Sequence, residues 1–180
     1  MDLDFRDKKI SPQTGFRWLT NIDYYKQTNN EKYNTVSLSS SFSGYATPNI
    51  SFPMTLAIRF GAETKLGDYN FYQASTLGNN DYNLRGFRNQ RFSGRTAYFG
   101  NSEVRIPITK LRGYLLSGDL GAFAFYDIGK VTSSVPEGNE WHSGYGPGIW
   151  LNLFDNVLLT VGYGISKEDK VISFKTGFRF

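Results

Sequence analysis

The strongest constraint on this chain is a period of two that runs almost from end to end. From Phe16 to Tyr25, the side chains of Trp18, Thr20, Ile22 and Tyr24 fall on one face of an extended backbone, and Arg17, Asn21 and Asp23 on the other. From Tyr33 to Tyr45, Val36, Leu38 and Phe42 oppose Ser37, Ser39, Ser41 and Ser43. From Pro53 to Lys65, Leu56, Ile58, Phe60 and Ala62 oppose Thr55, Arg59, Gly61 and Glu63. The pattern repeats at 96–108, where Val104 and Ile106 oppose Asn101, Glu103 and Arg105, and at 120–130, where Ala122, Ala124, Tyr126 and Ile128 oppose Phe125, Asp127 and Gly129. It continues at 145–152 and 159–165, and ends the chain with Ile172, Phe174, Phe178 and Phe180 opposite Ser173, Lys175 and Arg179. The expectation is about eight strands of ~10 residues, the length a tilted strand needs to cross a bilayer.

The connections carry turn chemistry and alternate in length. TPNIS (47–51), TKLRGYLLSG (109–118) and FDN (154–156) are the shorter links. QTNNEK (27–32), the long stretch 66–94, VTSSVPEGNEW (131–141) and SKEDK (166–170) lie at the opposite rim. Short turns on one side and longer polar loops on the other is an outer-membrane arrangement, with both chain ends on the short-turn, periplasmic rim. Upstream, DLDFRDKKISPQTG reads as the end of a further strand entering a Pro/Gly turn at Pro12 and Gly15. MDLDFRDKKI is too charged for a secretory signal, so an exported form is expected to be a mature protein or a fragment.

A soluble β-sandwich or a lipocalin-like barrel also alternates. There, however, the apolar face lines a narrow interior, which could hardly hold the Phe, Tyr and Trp that make up 17% of this chain. In a membrane the apolar face is outside and its room is unlimited. No apolar run approaches the ~18 residues of a membrane helix. The chain has no cysteine, which excludes a disulfide framework and a cysteine metal site. Its net charge of +4 is dispersed, which gives no footing for nucleic acid. The fold class expected is all-β: one antiparallel transmembrane β-barrel domain over residues 1–180, its roughly eight strands forming half of a larger barrel or closing on themselves as a small one.

Within that pattern NDYNLRGFRNQRFSG (80–94) stands apart, with Arg85, Arg88 and Arg91 in the middle of a loop. NLRGF (83–87) resembles the aliphatic-Arg-Gly-aromatic signature of the BamA-type superfamily, which comprises outer-membrane insertases, two-partner-secretion transporters and surface-antigen barrels. FYDIG (125–129) resembles that superfamily's Phe-x-Asp-x-Gly motif, and SEVRIPI (102–108) its strand with an inward Glu. RDKKISPQTG and the final FKTGFRF also fit. The likeness covers the whole chain, and its motif order matches the C-terminal half of a sixteen-strand family barrel. WHSGYGPGIWLN and TVGYGISKEDK are loosely similar to phosphoesterase-linked members.

The resemblance implies that residues 66–94 form an extracellular loop folding into the lumen. Arg85 would pair there with Glu103 and Asp127, which the alternation independently puts on the polar face. Gly86 would allow a tight bend, Phe87 would anchor the tip, Phe125 belongs to the same motif, and Gly129 would leave room for the loop backbone. Arg88 and Arg91 read instead as basic surface residues against lipid headgroups. Phe174, Phe178 and Phe180 resemble the terminal aromatic signal that barrel-assembly machinery recognises. Trp18, Trp150, Tyr126, Tyr145 and Tyr163 are candidates for interfacial girdles.

Catalysis is not expected. His142 and Ser143 are adjacent, so on a strand they point to opposite faces and cannot converge. One histidine and no cysteine leave only carboxylates for a metal, without calcium-loop spacing. No cofactor is implied. The resemblance implies protein insertion or translocation at the bacterial outer membrane. Alternatives are a structural anchor or half-barrel without transport and, more remotely, a lipid hydrolase. Expected partners are outer-membrane lipid, the assembly machinery, and a second copy or an N-terminal half-barrel.

Overall fold

The computed structural model describes residues 1–26, 34–78, 83–113, 117–132, 140–154 and 156–180. The strands are β1 (Asp2–Asp4), β2 (Gly15–Lys26), β3 (Asn34–Ala46), β4 (Thr55–Gly67), β5 (Ser75–Leu77), β6 (Phe92–Gly94), β7 (Thr96–Arg112), β8 (Ser117–Thr132), β9 (His142–Leu153), β10 (Val157–Ser166) and β11 (Lys170–Thr176). Nine of them form one sheet in the order β1-β2-β3-β4-β7-β8-β9-β10-β11, antiparallel at every pairing. This is a plain meander, interrupted only between β4 and β7. There a 3-10 turn (Phe71–Gln73) and the small β5–β6 hairpin intervene. Loop 27–32 and parts of the 79–83, 109–118, 131–141 and 154–156 segments lie outside the described residues.

The alternation holds along most of the long strands, and it holds inside out; on β2 the residues from Asn21 to Lys26 are exposed on both faces. Ile22, Phe60, Ile149 and Phe174 are 70%, 59%, 56% and 74% exposed, whereas Asn101, Glu103, Arg105 and Asp127 are at most 3% exposed. Water would leave this protein with a continuous apolar surface around a polar interior. A bilayer reverses that balance, because the aromatic face meets hydrocarbon while the ladder pairs the backbone amides.

Register aligns the polar face into rows across strands. Arg59 on β4 is opposite Asn101 on β7, Asn101 is opposite Asp127 on β8, and Asp127 is opposite Gly144 on β9, which faces Ser166 on β10. Two apolar clusters flank this row. Leu77, Leu84, Phe87, Ala97 and Val131 form one, and Phe123, Phe125, Trp150 and Leu158 the other.

Several sequence expectations shift. The upstream strand is present as β1, and its hairpin with β2 extends through the Phe5 amide donating to the Phe16 carbonyl at 2.9 Å. Strands β7 and β8, with 17 and 16 residues, run past the expected link at Thr109. Their register slips between Pro107 and Thr109, where proline supplies no amide to the ladder. Trp150 faces inward, 8% exposed, and its indole donates to the Ala122 carbonyl at 3.2 Å, so it belongs to no girdle.

The end of the chain departs most. Alternation carries Phe174 outward, but β11 stops at Thr176, and Gly177 takes a left-handed φ of 95° that a side chain resists. The turn draws the last residues of the chain inward, Arg179 staying buried as its parity implies while the phenylalanines beside it change face. Phe178 therefore packs inside, its ring 3.7 Å from the Arg105 guanidinium and 5.9 Å from Trp150, instead of sharing a face with Phe174. Phe180 also lies inward, with its ring 5.2 Å from the Arg59 guanidinium and its carbonyl accepting from Arg105 Nη2 at 3.0 Å.

Phe60→Arg puts a charge at the middle of the outer face of β4. In lipid vesicles it is expected to cost about 2–4 kcal/mol of folding stability. A soluble fold would register well under ~1 kcal/mol at so exposed a position. Urea titration of folding into vesicles distinguishes the two.

Candidate functional site: an arginine clasp on the inner face

The tip of the β4–β7 excursion lies along the row that joins Asn101 to Ser166, crossing four strands in the four residues from Asn83 to Gly86. Over β7, the Asn83 carbonyl accepts from Asn101 Nδ2 at 2.8 Å. Over β8, the Arg85 amide donates to Asp127 Oδ2 at 2.9 Å. At β9 the Arg85 carbonyl occupies the space that a Cβ on Gly144 would need. Over β10, the Gly86 carbonyl accepts from Ser166 Oγ at 2.8 Å, and its backbone packs against Gly164. Gly86 itself has φ of 87°, a conformation that side chains disfavour, and this lets the tip turn flat against the wall.

The Arg85 side chain is 4% exposed. Its Nε and Nη2 reach both oxygens of Asp127 at 2.7 Å, a bidentate fork, while Nη1 pairs with Glu103. The guanidinium lies 3.6 Å from the Phe125 ring centroid. Burial alone would lower the Arg85 pKa, but Glu103 and Asp127 more than offset it and hold it above its ordinary value. Glu103 is shared: its second oxygen takes Arg105 Nε at 2.9 Å. Arg105 in turn holds Phe178 and Phe180, so one carboxylate joins the loop tip to the end of the chain.

Arg85, Gly86, Glu103, Phe125 and Asp127 thus converge. Phe87, 2% exposed, fixes the tip among Leu77, Leu84 and Val131, with Phe92 at 5.3 Å and His142 at 6.1 Å. Gly129 serves differently from expectation: a Cβ there would meet the Leu77 side chain at 2.9 Å, so its space goes to β5 rather than to the tip backbone. The glycines that admit the backbone are Gly144 and Gly164, to which no sequence motif assigns a role; the only signal is that glycine recurs at inward positions of β9 and β10. Phe174, Phe178 and Phe180 do not come together, since the first points out and the other two in.

Arg88 and Arg91 face neither the clasp nor open surface alone. They pair with Asp169 at 2.9 Å and Glu168 at 2.7 Å in the β10–β11 connection, although both side chains stay largely exposed. That connection brings its acidic pair alongside the loop, a juxtaposition invisible to local pattern. Such exposed pairs contribute little stability. His142 stacks on Phe92 with ring centroids 3.6 Å apart.

Strands of bilayer-crossing length, an apolar outer face and a basic loop clasped to buried carboxylates inside define an outer-membrane β-barrel protein. The Omp85 superfamily domain matches residues 1–180, and the chain belongs to that superfamily of outer-membrane barrels involved in protein insertion and translocation. No curated protein matches it.

Arg85→Ala and Asp127→Ala each strand a buried charge and are expected to cost about 3–5 kcal/mol. The double variant should lose much less than the sum, since both residues belong to one interaction. The midpoint of heat-modified gel mobility reads both effects, and unchanged melting in both single variants would remove the clasp. Gly144→Ala is expected to lift the tip while leaving β9 paired, which faster tryptic cleavage at Arg88 or Arg91 would register.

Proposed function

We propose that this chain is part of a bacterial outer-membrane β-barrel, crossing the membrane with each long strand, that takes part in inserting or translocating proteins. The observation that carries this reading is the clasp: a loop whose Arg85 sits between Asp127 and Glu103 over a row of four strands. Residues 66–94 are then an extracellular loop folded into the lumen, and Arg85, Gly86, Phe87, Glu103, Phe125 and Asp127 brace it, with Gly129 accommodating β5. Recognition by assembly machinery through an outward aromatic falls on Phe174, with Phe178 and Phe180 turned inside.

The edges of the sheet, β1 and β11, pair with no other described strand. Exposed edge amides in hydrocarbon are too costly to persist. Closure of the two edges on each other, a second copy or further strands therefore complete the barrel. No catalytic role is proposed: His142 is committed to the Phe92 stack. The packed inner face also favours a second reading, an anchor that carries no cargo.

Reconstituted in liposomes, the protein is expected to speed the folding of an unfolded outer-membrane protein over protein-free liposomes. Arg85→Ala should reduce that gain. No gain in the wild type, with the heat-shifted gel band confirming its fold, would leave the anchor. Light scattering in detergent should give the mass of two chains if copies complete the barrel.

A further inference from the structure

The outer face is not uniform. Between β2 and β8 it holds a groove of about 610 Å³, with its floor at Ala62 on β4 and Gly100 on β7. Trp18 and Phe42 close one end, and Tyr98 and Trp141 the other. Between them Phe60 and Ile128 flank Gly100, close enough that a Cβ there would meet each at 3.4 Å.

The two ends differ in chemistry. Register puts Tyr98 opposite Ala62 on one side and opposite Lys130 on the other. Two residues nearer the long-loop rim, Thr96 is opposite Thr64 and Thr132. By parity all of these share the outward face with the groove. The Thr64 and Thr96 hydroxyls are hydrogen-bonded at 2.8 Å, and no described carboxylate pairs with Lys130. One end therefore carries hydroxyls and an available cation. The far end is aromatic, and the Trp18 indole N–H is already spent on Ser40 Oγ at 3.0 Å.

A groove that is polar and cationic at the rim and apolar below it has the polarity of an amphiphile. The lysine stem can lie along apolar surface while its ammonium reaches the interface, where Tyr98 and Trp141 also belong. We infer that this groove holds one anionic phospholipid. Its phosphate sits against Lys130 and the Thr64–Thr96 hydroxyls, and an acyl chain runs over Ala62 and Gly100 toward Phe42. The inference rests on the reading that the strands cross an outer membrane, and it goes further, since ordinary lipid contact needs neither a concavity nor a matched charge at one end of it. The groove opens on the face that hydrocarbon already covers, so an acyl chain is the occupant at hand, and Lys130 selects among lipids by charge.

The test uses the full chain folded in dodecyl maltoside micelles that carry phosphatidylglycerol or phosphatidylcholine with the same acyl chains. Native mass spectrometry counts the lipid retained. The wild type is expected to keep one phosphatidylglycerol in preference to phosphatidylcholine. Lys130→Gln should lower that preference about fivefold, the worth of one lysine beside an anionic headgroup. Ala62→Phe fills the groove and should abolish retention of both lipids. Ala124→Phe, the same change on the outer face of β8 but outside the groove, should behave as the wild type. If Ala62→Phe does not fold, Lys130→Gln carries the test, and an unchanged preference overturns the site. Heat-modified gel mobility and insertion into phosphatidylcholine vesicles read the barrel separately. A chain that does neither overturns the membrane reading and this inference with it. A chain that inserts but retains no lipid, retains both lipids equally, or responds alike to Ala62→Phe and Ala124→Phe overturns the site alone.

Discussion

Backbone amides in hydrocarbon must be paired, and this chain meets that demand by placing all of its long strands in a single meander. The other features derive from the two faces such a sheet creates. The outer face can be uniformly apolar because it meets lipid. The inner face is left polar by alternation, so it carries charge into a region with little water. A wall bearing Glu103 and Asp127 is unstable on its own; it needs cations placed to match. Arg105 supplies one from the wall itself, and Arg85 supplies the other from a loop.

That arrangement explains why the clasp is so fully satisfied. The tip does not merely touch the wall; it donates and accepts along one register row, from Asn101 on β7 to Ser166 on β10. Phe125 stacks on the guanidinium and keeps water from it, which strengthens each bond it makes. The cost of burying the ions is offset only because both carboxylates and the guanidinium find partners. A partial version of the site would be worse than an apolar wall.

Much of this is legible in the sequence because a strand obeys a strict parity. Each long strand, its outward residues, and the inward placement of Glu103 and Asp127 emerge from counting by twos. The pairing of Arg85 with them rests on family resemblance, since 18 and 42 residues separate the partners. Parity fails where the backbone leaves the strand region. One left-handed residue, Gly177, reverses Phe178 and Phe180, and nothing local distinguishes that glycine from those within strands. Trp150 escapes for another reason: its size suggests a membrane girdle, although its parity already places it inside opposite Gly121. The ion pairs of Arg88 and Arg91 depend on residues about 80 positions away, beyond any local pattern.

The shared carboxylates give the loop tip a character beyond that of a folded segment. Residues 83–87 act on the wall as a tethered counter-ion, whose effective concentration is set by the chain joining β4 to β7 rather than by the solution outside. Dissolved salt screens the exposed pairs of Arg88 and Arg91, but it competes poorly for a buried fork. Withdrawal of the tip would expose two carboxylates together, one of them also the partner of Arg105. Backbone position and charge balance inside this wall are therefore a single variable.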